Sequence, residues 1–111
     1  MTHPEREKAA SHITPAIVRQ ILMDMIDIRS PTGSEAGMAD YIVDRLLRCG
    51  ADAYRQPVEE GRPNAIAHLR GKGDGLNLVL TGHMDTSYSG DEEHLSGPGF
   101  KPKAVYKDGW V

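Results

Sequence analysis

The chain has 111 residues, which is enough for one small domain and too few for two. Its formal net charge is -3 without a long basic run, so we expect no nucleic-acid partner, and no apolar run approaches the roughly 20 residues that cross a membrane. The single cysteine, Cys49, excludes an internal disulfide and, with a charged N-terminus that lacks an apolar signal, favours a cytoplasmic location.

The first part of the chain is predicted to be a polar arm, residues 1–13, followed by an amphipathic helix. Thr14 offers a hydroxyl N-cap and Pro15 suits the first helical position, so a helix begins here. Apolar residues at helical spacing predict that it spans residues 16–29. Pro31 ends it, because the residue before a proline is displaced from the α region.

A second helix is predicted directly after the first. Thr32 and Glu35 match a capping box, in which the hydroxyl serves the N3 amide and the carboxylate reaches back to the N-cap amide. Gly50 is a natural C′ glycine at the other end of this helix. Ser30 and Ser34 lack the sequence context of a catalytic nucleophile, so they are predicted to act as caps.

Strands are predicted in the second half of the chain. Residues 53–57 suit a short edge strand, and residues 64–70 alternate loosely, as a strand with one covered face does. The glycine-rich segment 71–75 predicts a turn, after which residues 76–81 pair back antiparallel to residues 64–70. Because this last segment contains a continuous Leu-Val-Leu run, we expect it to be buried on both faces.

The end of the chain is predicted to be a long polar loop, residues 87–104, and a hairpin that turns at Lys107–Gly109. The loop contains Asp91–His94, a stretch of ligand-type side chains for which a solvated acidic patch is the favoured interpretation. Together the elements predict an α/β fold in which the two N-terminal helices pack on a mixed β-sheet, with Cys49 in the core.

His83 and Asp85 follow the apolar run directly and are the candidate functional residues. Residues i and i+2 of an extended backbone point to the same side, so the imidazole and the carboxylate face one pocket. Either His83 binds a metal through one ring nitrogen while Asp85 accepts a hydrogen bond from the other, or Asp85 orients His83 as a general base. The two-residue pattern by itself also fits a histidine in an ordinary turn.

Four segments of the chain resemble the N-terminal part of the M20 family of metallopeptidases. This family includes acetylornithine deacetylase, succinyl-diaminopimelate desuccinylase, carboxypeptidase G2 and the aminoacylases. The resemblance covers residues 15–111 and keeps the order and the spacing of the family's motifs. The segments are Arg29–Glu35, Gly61–Ala67, Leu80–Thr86 and Asp108–Trp110.

The resemblance implies the N-terminal part of a zinc-peptidase-like catalytic domain that cleaves the amide bond of a peptide or an N-acyl amino acid. His83 matches a ligand of one of two zinc ions, for which Co2+ or Mn2+ can substitute, and Asp85 matches the catalytic-site aspartate that orients this histidine. In the family a metal-activated water attacks the amide carbonyl while a glutamate acts as general base. Many members form a homodimer through a second domain.

The resemblance leaves part of the family's pattern unmatched. The bridging aspartate, the general-base glutamate and the remaining ligands come later in the family, so residues 14–111 are expected to be a truncated catalytic domain that is inactive by itself. Two alternatives remain, a non-catalytic M20-like binding domain and a metal-free hydrolase that uses His83 and Asp85. Arg62 is predicted to lie on the surface, with contact to a substrate carboxylate as the alternative.

Overall fold

The structure is a computed structural model that describes residues 2–73, 75–87 and 103–111. The described residues fall into two compact units, one within Met1–Asp27 and Pro102–Val111 and the other within Ile28–Lys101. No helix in the described part of the chain combines the length and the apolar character needed to span a membrane. These described ranges contain three helices, α1 (His3–Ser11), α2 (Pro15–Asp27) and α3 (Ala36–Arg48), and two strands, β1 (Asp52–Glu59) and β2 (Arg62–His68).

Helix α1 lies in the segment that was predicted to be a polar arm. None of its residues is buried, so the segment is polar and exposed as expected, but it is helical. At its start the Thr2 amide and hydroxyl donate to Glu5 Oε2 at 2.7 and 3.0 Å, and His3 pairs with Glu7 one turn later at 3.4 Å. A helix that is held by such local polar contacts has no apolar face, and hydrophobic periodicity therefore gives no sign of it.

Helix α2 confirms the predicted first amphipathic helix. Thr14 Oγ1 accepts a hydrogen bond from the Ile17 amide at 3.2 Å, and Pro15 is the first helical residue, as the cap chemistry predicts. The helix ends at Asp27, two residues before the predicted end. Asp27 Oδ1 accepts a hydrogen bond of 2.7 Å from the amide of Ala104, which is buried, so the C-terminal segment is attached to the end of α2.

The predicted hairpin at the end of the chain forms as a single antiparallel bridge. Lys107 and Trp110 exchange two backbone hydrogen bonds of 2.9 Å each. Asp108 and Gly109 between them have φ values of 52° and 89°, the left-handed backbone that a type I′ turn requires. An Asp-Gly pair is among the residues that adopt this turn most readily, which explains why the sequence indicated it.

Helix α3 ends in a Schellman motif around Gly50, as predicted. The Gly50 amide donates to the Leu47 carbonyl at 2.9 Å, and the Ala51 amide donates to the Leu46 carbonyl at 3.0 Å. Gly50 has a φ of 82°, a conformation that costs a side-chain-bearing residue about 1–2 kcal/mol.

Substituting Gly50 by alanine is therefore expected to lower the free energy of unfolding by about 1 kcal/mol. A Cβ built at Gly50 meets no atom within 4 Å, so the loss comes from the backbone conformation alone. Gly71→Ala is the matched control, because a Cβ there also meets nothing and its φ is not in the left-handed region. Urea denaturation of both variants measures the difference, and equal stability of the two would contradict the prediction.

Helix α3 packs on the sheet that β1 and β2 form. The buried apolar residues of these elements include Met38 and Ala39 of α3 and Ala53 of β1. The prediction that Cys49 belongs to the core is wrong, because the helix ends at Arg48 and Cys49 is an exposed C-cap residue. Helical spacing predicts which residues share a face only while the backbone is helical, and Cys49 follows the last helical residue.

The sheet differs from the predicted one in the partner of its second strand. β1 and β2 form an antiparallel pair in which Tyr54 lies opposite Ile66, whereas residues 76–81 were predicted to pair with the second strand. Among the described residues no strand forms over 76–81, and Leu78, Val79 and Leu80 are at least 82% exposed. The three helices and the two-stranded sheet agree with the α/β class, but the described ranges contain neither the mixed sheet nor the doubly buried strand. A continuous apolar run is typical of a strand that neighbouring elements bury on both faces. The run does not show whether such neighbouring strands are present.

Candidate functional site

The structure places His83 and Asp85 side by side, as their spacing predicts. His83 Nδ1 lies 2.9 Å from the backbone oxygen of Asp85 and 3.3 Å from its Oδ1. The His83 side chain is 86% exposed, whereas the Asp85 side chain is 35% exposed. The ring therefore owes its orientation to polar contacts with Asp85 and not to packing.

The contact with the backbone oxygen indicates where the proton of the His83 ring lies. A carbonyl oxygen only accepts hydrogen bonds, so Nδ1 must be the donor in this contact. In the neutral ring Nε2 then carries a lone pair, which is the form that ligates a metal or takes up a proton. The geometry suits both chemistries that the sequence left open.

Asp85 is itself held from the side opposite to His83. Thr32 Oγ1 donates a hydrogen bond of 2.7 Å to Asp85 Oδ2, and this bond holds the pKa of the Asp85 carboxyl below its usual range. The charge of the carboxylate is thereby stabilised next to His83. Thr32 lies 53 residues earlier in the chain, and no sequence pattern connects the two residues.

The predicted capping box is wrong, because its two members are used elsewhere. The Thr32 hydroxyl binds Asp85, and α3 begins at Ala36 with Glu35 as its N-cap residue. Glu35 Oε1 accepts a hydrogen bond of 2.9 Å from the Gly33 amide and not from the Thr32 amide. Both residues match a local cap by spacing, but the fold offers them stronger distant partners.

Residues 30–32 are fastened to residues 84–86 by backbone hydrogen bonds. The Thr86 amide donates to the Ser30 carbonyl at 2.8 Å, and the Thr32 amide donates to the Thr86 carbonyl at 3.3 Å, in a parallel bridge between Pro31 and Thr86. Ser30, predicted to be a cap, is buried and donates its hydroxyl to the Met84 carbonyl at 2.8 Å. We call this set of contacts between 30–32 and 84–86 the clamp.

A partly buried ion pair supports the loop that precedes α3. Arg62 binds both oxygens of Glu35, with Nε at 3.1 Å from Oε2 and Nη2 at 2.8 Å from Oε1, and its Nη1 lies 3.2 Å from Glu59. The Glu35 side chain is only 8% exposed, and the Arg62 guanidinium lowers its pKa to about 2. Arg62 is thus partly exposed, as predicted, but its guanidinium is engaged by carboxylates of this chain and not left for those of a substrate.

The described residues do not complete a metal site. Nowhere in the described ranges do three or more His, Cys, Asp or Glu side chains come close enough together to hold an ion. His83 offers one ligand nitrogen, whereas a zinc ion at an open catalytic site takes three protein ligands. The acidic stretch Asp91–His94 lies outside the described residues.

Similarity to known proteins points to one class of enzyme. Over 67 residues, or 60% of the chain, it is 37% identical to a protein of Pyrococcus furiosus and 39% identical to one of Thermococcus kodakarensis, both named LysW-lysine/LysW-ornithine hydrolase. Over 82 residues, or 74% of the chain, it is 27% identical to a succinyl-diaminopimelate desuccinylase of Staphylococcus aureus. The aligned stretch covers 18–20% of these relatives, so the chain spans about a fifth of their length. No family model and no solved structure matches the chain.

Proposed function

We propose that this chain is the N-terminal part of the catalytic domain of an M20-type hydrolase that cleaves the amide bond of a peptide or an N-acyl amino acid. The observation that carries the proposal is the contact between His83 Nδ1 and Asp85, which leaves Nε2 with its lone pair in an exposed position. The names of the relatives support the substrate class. One of them is named as a desuccinylase of succinyl-diaminopimelate, and the other two are named as hydrolases of LysW-lysine and LysW-ornithine.

In this proposal His83 provides one ligand to zinc, or to Co2+ or Mn2+, and Asp85 orients the ring. A bound zinc ion polarises a carbonyl and lowers the pKa of a bound water to about 7. The described residues contribute the ligand nitrogen and the carboxylate that directs it, and the other ligands have to come from residues outside them. The proposal includes a cytoplasmic location and a homodimer that forms through a further domain.

The test is hydrolysis by the complete protein that the gene encodes. The coding sequence beyond Val111 is read first, for a Gly-rich segment with an aspartate, a Glu-Glu pair and a late histidine. Release of the amino acid from N-succinyl-diaminopimelate and N-acetylornithine is then followed before and after chelation and after return of zinc. Activity that chelation abolishes and zinc restores supports the proposal. Activity that survives chelation favours the metal-free hydrolase. A complete protein with neither zinc binding nor hydrolysis would contradict the proposal and favour the non-catalytic alternative.

Replacing Asp85 by asparagine is expected to weaken zinc affinity or the rate of hydrolysis by about 10–100-fold, the usual effect of losing a carboxylate that orients a metal-binding histidine. Asparagine keeps the shape of the side chain but removes the charge beside His83 Nδ1. Asp40→Asn is the control, because Asp40 is an exposed carboxylate of the same unit that pairs with Arg55 at 3.0 Å. An Asp85→Asn protein with unchanged affinity and rate would show that Asp85 only supports the structure.

A further inference from the structure

We propose that Thr32 is a positioning residue for His83 and that it acts through Asp85. Its hydroxyl holds Oδ2 of the Asp85 carboxylate at 2.7 Å, so that Oδ1 is turned toward Nδ1 of the imidazole at 3.3 Å. The three side chains form a series of contacts in which Thr32 orients the carboxylate, and the carboxylate orients the ring together with the Asp85 carbonyl. This inference rests on the proposed function only in that Nε2 is taken to bind a metal ion. The orientation of the His83 ring does not depend on the proposed function.

The exposure of His83 makes such a series of contacts necessary. A side chain that is 86% exposed has little packing to select one rotamer, and a free imidazole exchanges its proton between the two nitrogens. The hydrogen bond at one ring nitrogen determines the tautomer, and Nδ1 faces only oxygens of Asp85 among the described residues. The Asp85 carbonyl contacts Nδ1 at 2.9 Å whatever the carboxylate does, and the carboxylate adds a second acceptor beside the same nitrogen. A carboxylate that rotates about its own bond presents Oδ1 for part of the time only.

Thr32 is well placed to stop that rotation because its own backbone is fixed. Its amide donates to the Thr86 carbonyl, and the neighbouring Pro31 carbonyl accepts a hydrogen bond of 2.8 Å from the Ser34 amide. The hydroxyl is therefore presented from an ordered turn, and Asp85 stands next to Thr86 on the opposite side of the clamp.

The clamp itself does not need the Thr32 hydroxyl. Its backbone hydrogen bonds and the bond from Ser30 Oγ to the Met84 carbonyl join the same two segments without that oxygen. The hydroxyl of Thr86 provides a further bond within the clamp, to the Ser30 carbonyl at 3.3 Å. This separation of roles allows a purely structural effect to be distinguished from an effect on the ring.

The experiment measures the tautomer of His83 in the metal-free protein with 15N-labelled histidine rings. Long-range 1H–15N spectra distinguish the two tautomers, at a pH well above the usual histidine pKa of about 6.5, and His83→Ala assigns the signals. The Nδ1–H form is expected to dominate in the wild-type protein. Thr32→Val, which removes the hydroxyl and keeps the shape, is expected to raise the share of the Nε2–H form, because only the Asp85 carbonyl then remains as a fixed acceptor for Nδ1–H. Thr32→Ser is expected to keep the wild-type pattern.

Thr86→Val is the matched control, because it removes the hydroxyl that donates to the Ser30 carbonyl within the clamp. The inference is overturned if Thr32→Val keeps the wild-type tautomer, or if Thr86→Val shifts the tautomer as much. If Thr32→Val fails to fold, Thr32→Ala replaces it, since the smaller side chain introduces no clash at this exposed position.

Zinc affinity is measured separately, by titration of zinc alone, and a fall of about 10-fold is expected for Thr32→Val. A tautomer shift in a protein that binds no zinc would contradict the proposed function and leave the positioning role intact.

Discussion

Replacement of His83 by alanine is expected to abolish zinc binding at this site and amide hydrolysis together in the complete protein. The imidazole is the one metal-ligating group that the His83–Asp85 pair presents, because Asp85 is occupied with Nδ1 of the ring and with Thr32. A site that loses one of its protein ligands loses the geometry that holds the ion. The effect should therefore exceed the about 100-fold upper end expected for Asp85→Asn.

Zinc stoichiometry and affinity, measured by calorimetry, and the rate of hydrolysis give the two readouts for His83→Ala. His68→Ala is the matched control, since His68 is an exposed histidine of the same unit, stacked on the Tyr54 ring with 6.2 Å between the ring centroids. We expect it to keep both zinc and activity. A His83→Ala protein that binds zinc and turns over substrate like the wild type would remove His83 from the site.

Replacement of Arg62 by methionine is expected to lower thermal stability and to move acid unfolding to a higher pH. The guanidinium forms hydrogen bonds with both oxygens of Glu35, a carboxylate that is only 8% exposed. Without Arg62 this carboxylate remains charged in a poorly solvated position, and an unpaired buried charge is more destabilising than the intact pair is stabilising. Methionine keeps much of the aliphatic stem of Arg62, so the change tests the charge.

The pH dependence has a definite sign. Glu35 has a pKa of about 2 in the folded chain against an ordinary value of 4.5, so the unfolded chain binds the proton more tightly. The contribution of Glu35 to stability is fully present above pH 4.5 and is lost as the pH falls toward 2. In Arg62→Met most of that contribution is absent, and melting temperatures should fall less steeply over this pH range than in the wild type.

Arg55→Met is the control for Arg62→Met, because Arg55 pairs with Asp40 at 3.0 Å while both side chains are about half exposed. Pairs of this kind contribute about 0–1 kcal/mol, so this variant should melt close to the wild type at every pH. Thermal melts by circular dichroism between pH 2 and pH 7 compare the three proteins. Equal melting temperatures for Arg62→Met and Arg55→Met would show that the Arg62–Glu35 pair contributes no more to stability than the exposed Arg55–Asp40 pair.

Cap and turn chemistry gave correct predictions where the contacts are local. Thr14 and Pro15 begin α2, Gly50 ends α3, and the Asp-Gly pair makes the last turn, each as predicted. These signals depend on residues within four positions of one another, so their geometry follows from the backbone itself. The adjacency of His83 and Asp85 is also local, because the two residues are only two positions apart in the chain.

What the sequence by itself determined is therefore the start of α2, the end of α3, the final turn and the adjacency of His83 and Asp85. Only the tertiary structure decided the partners of Thr32 and Glu35, which bind Asp85 and Arg62 at separations of 53 and 27 residues. It also decided that β2 pairs with β1 and that Leu78–Leu80 is exposed. A hydroxyl, a carboxylate or an apolar strand can satisfy a local or a distant partner equally well by type. Which partner is bound depends on which groups the fold brings within hydrogen-bonding or packing distance. A short stretch of sequence does not contain that information.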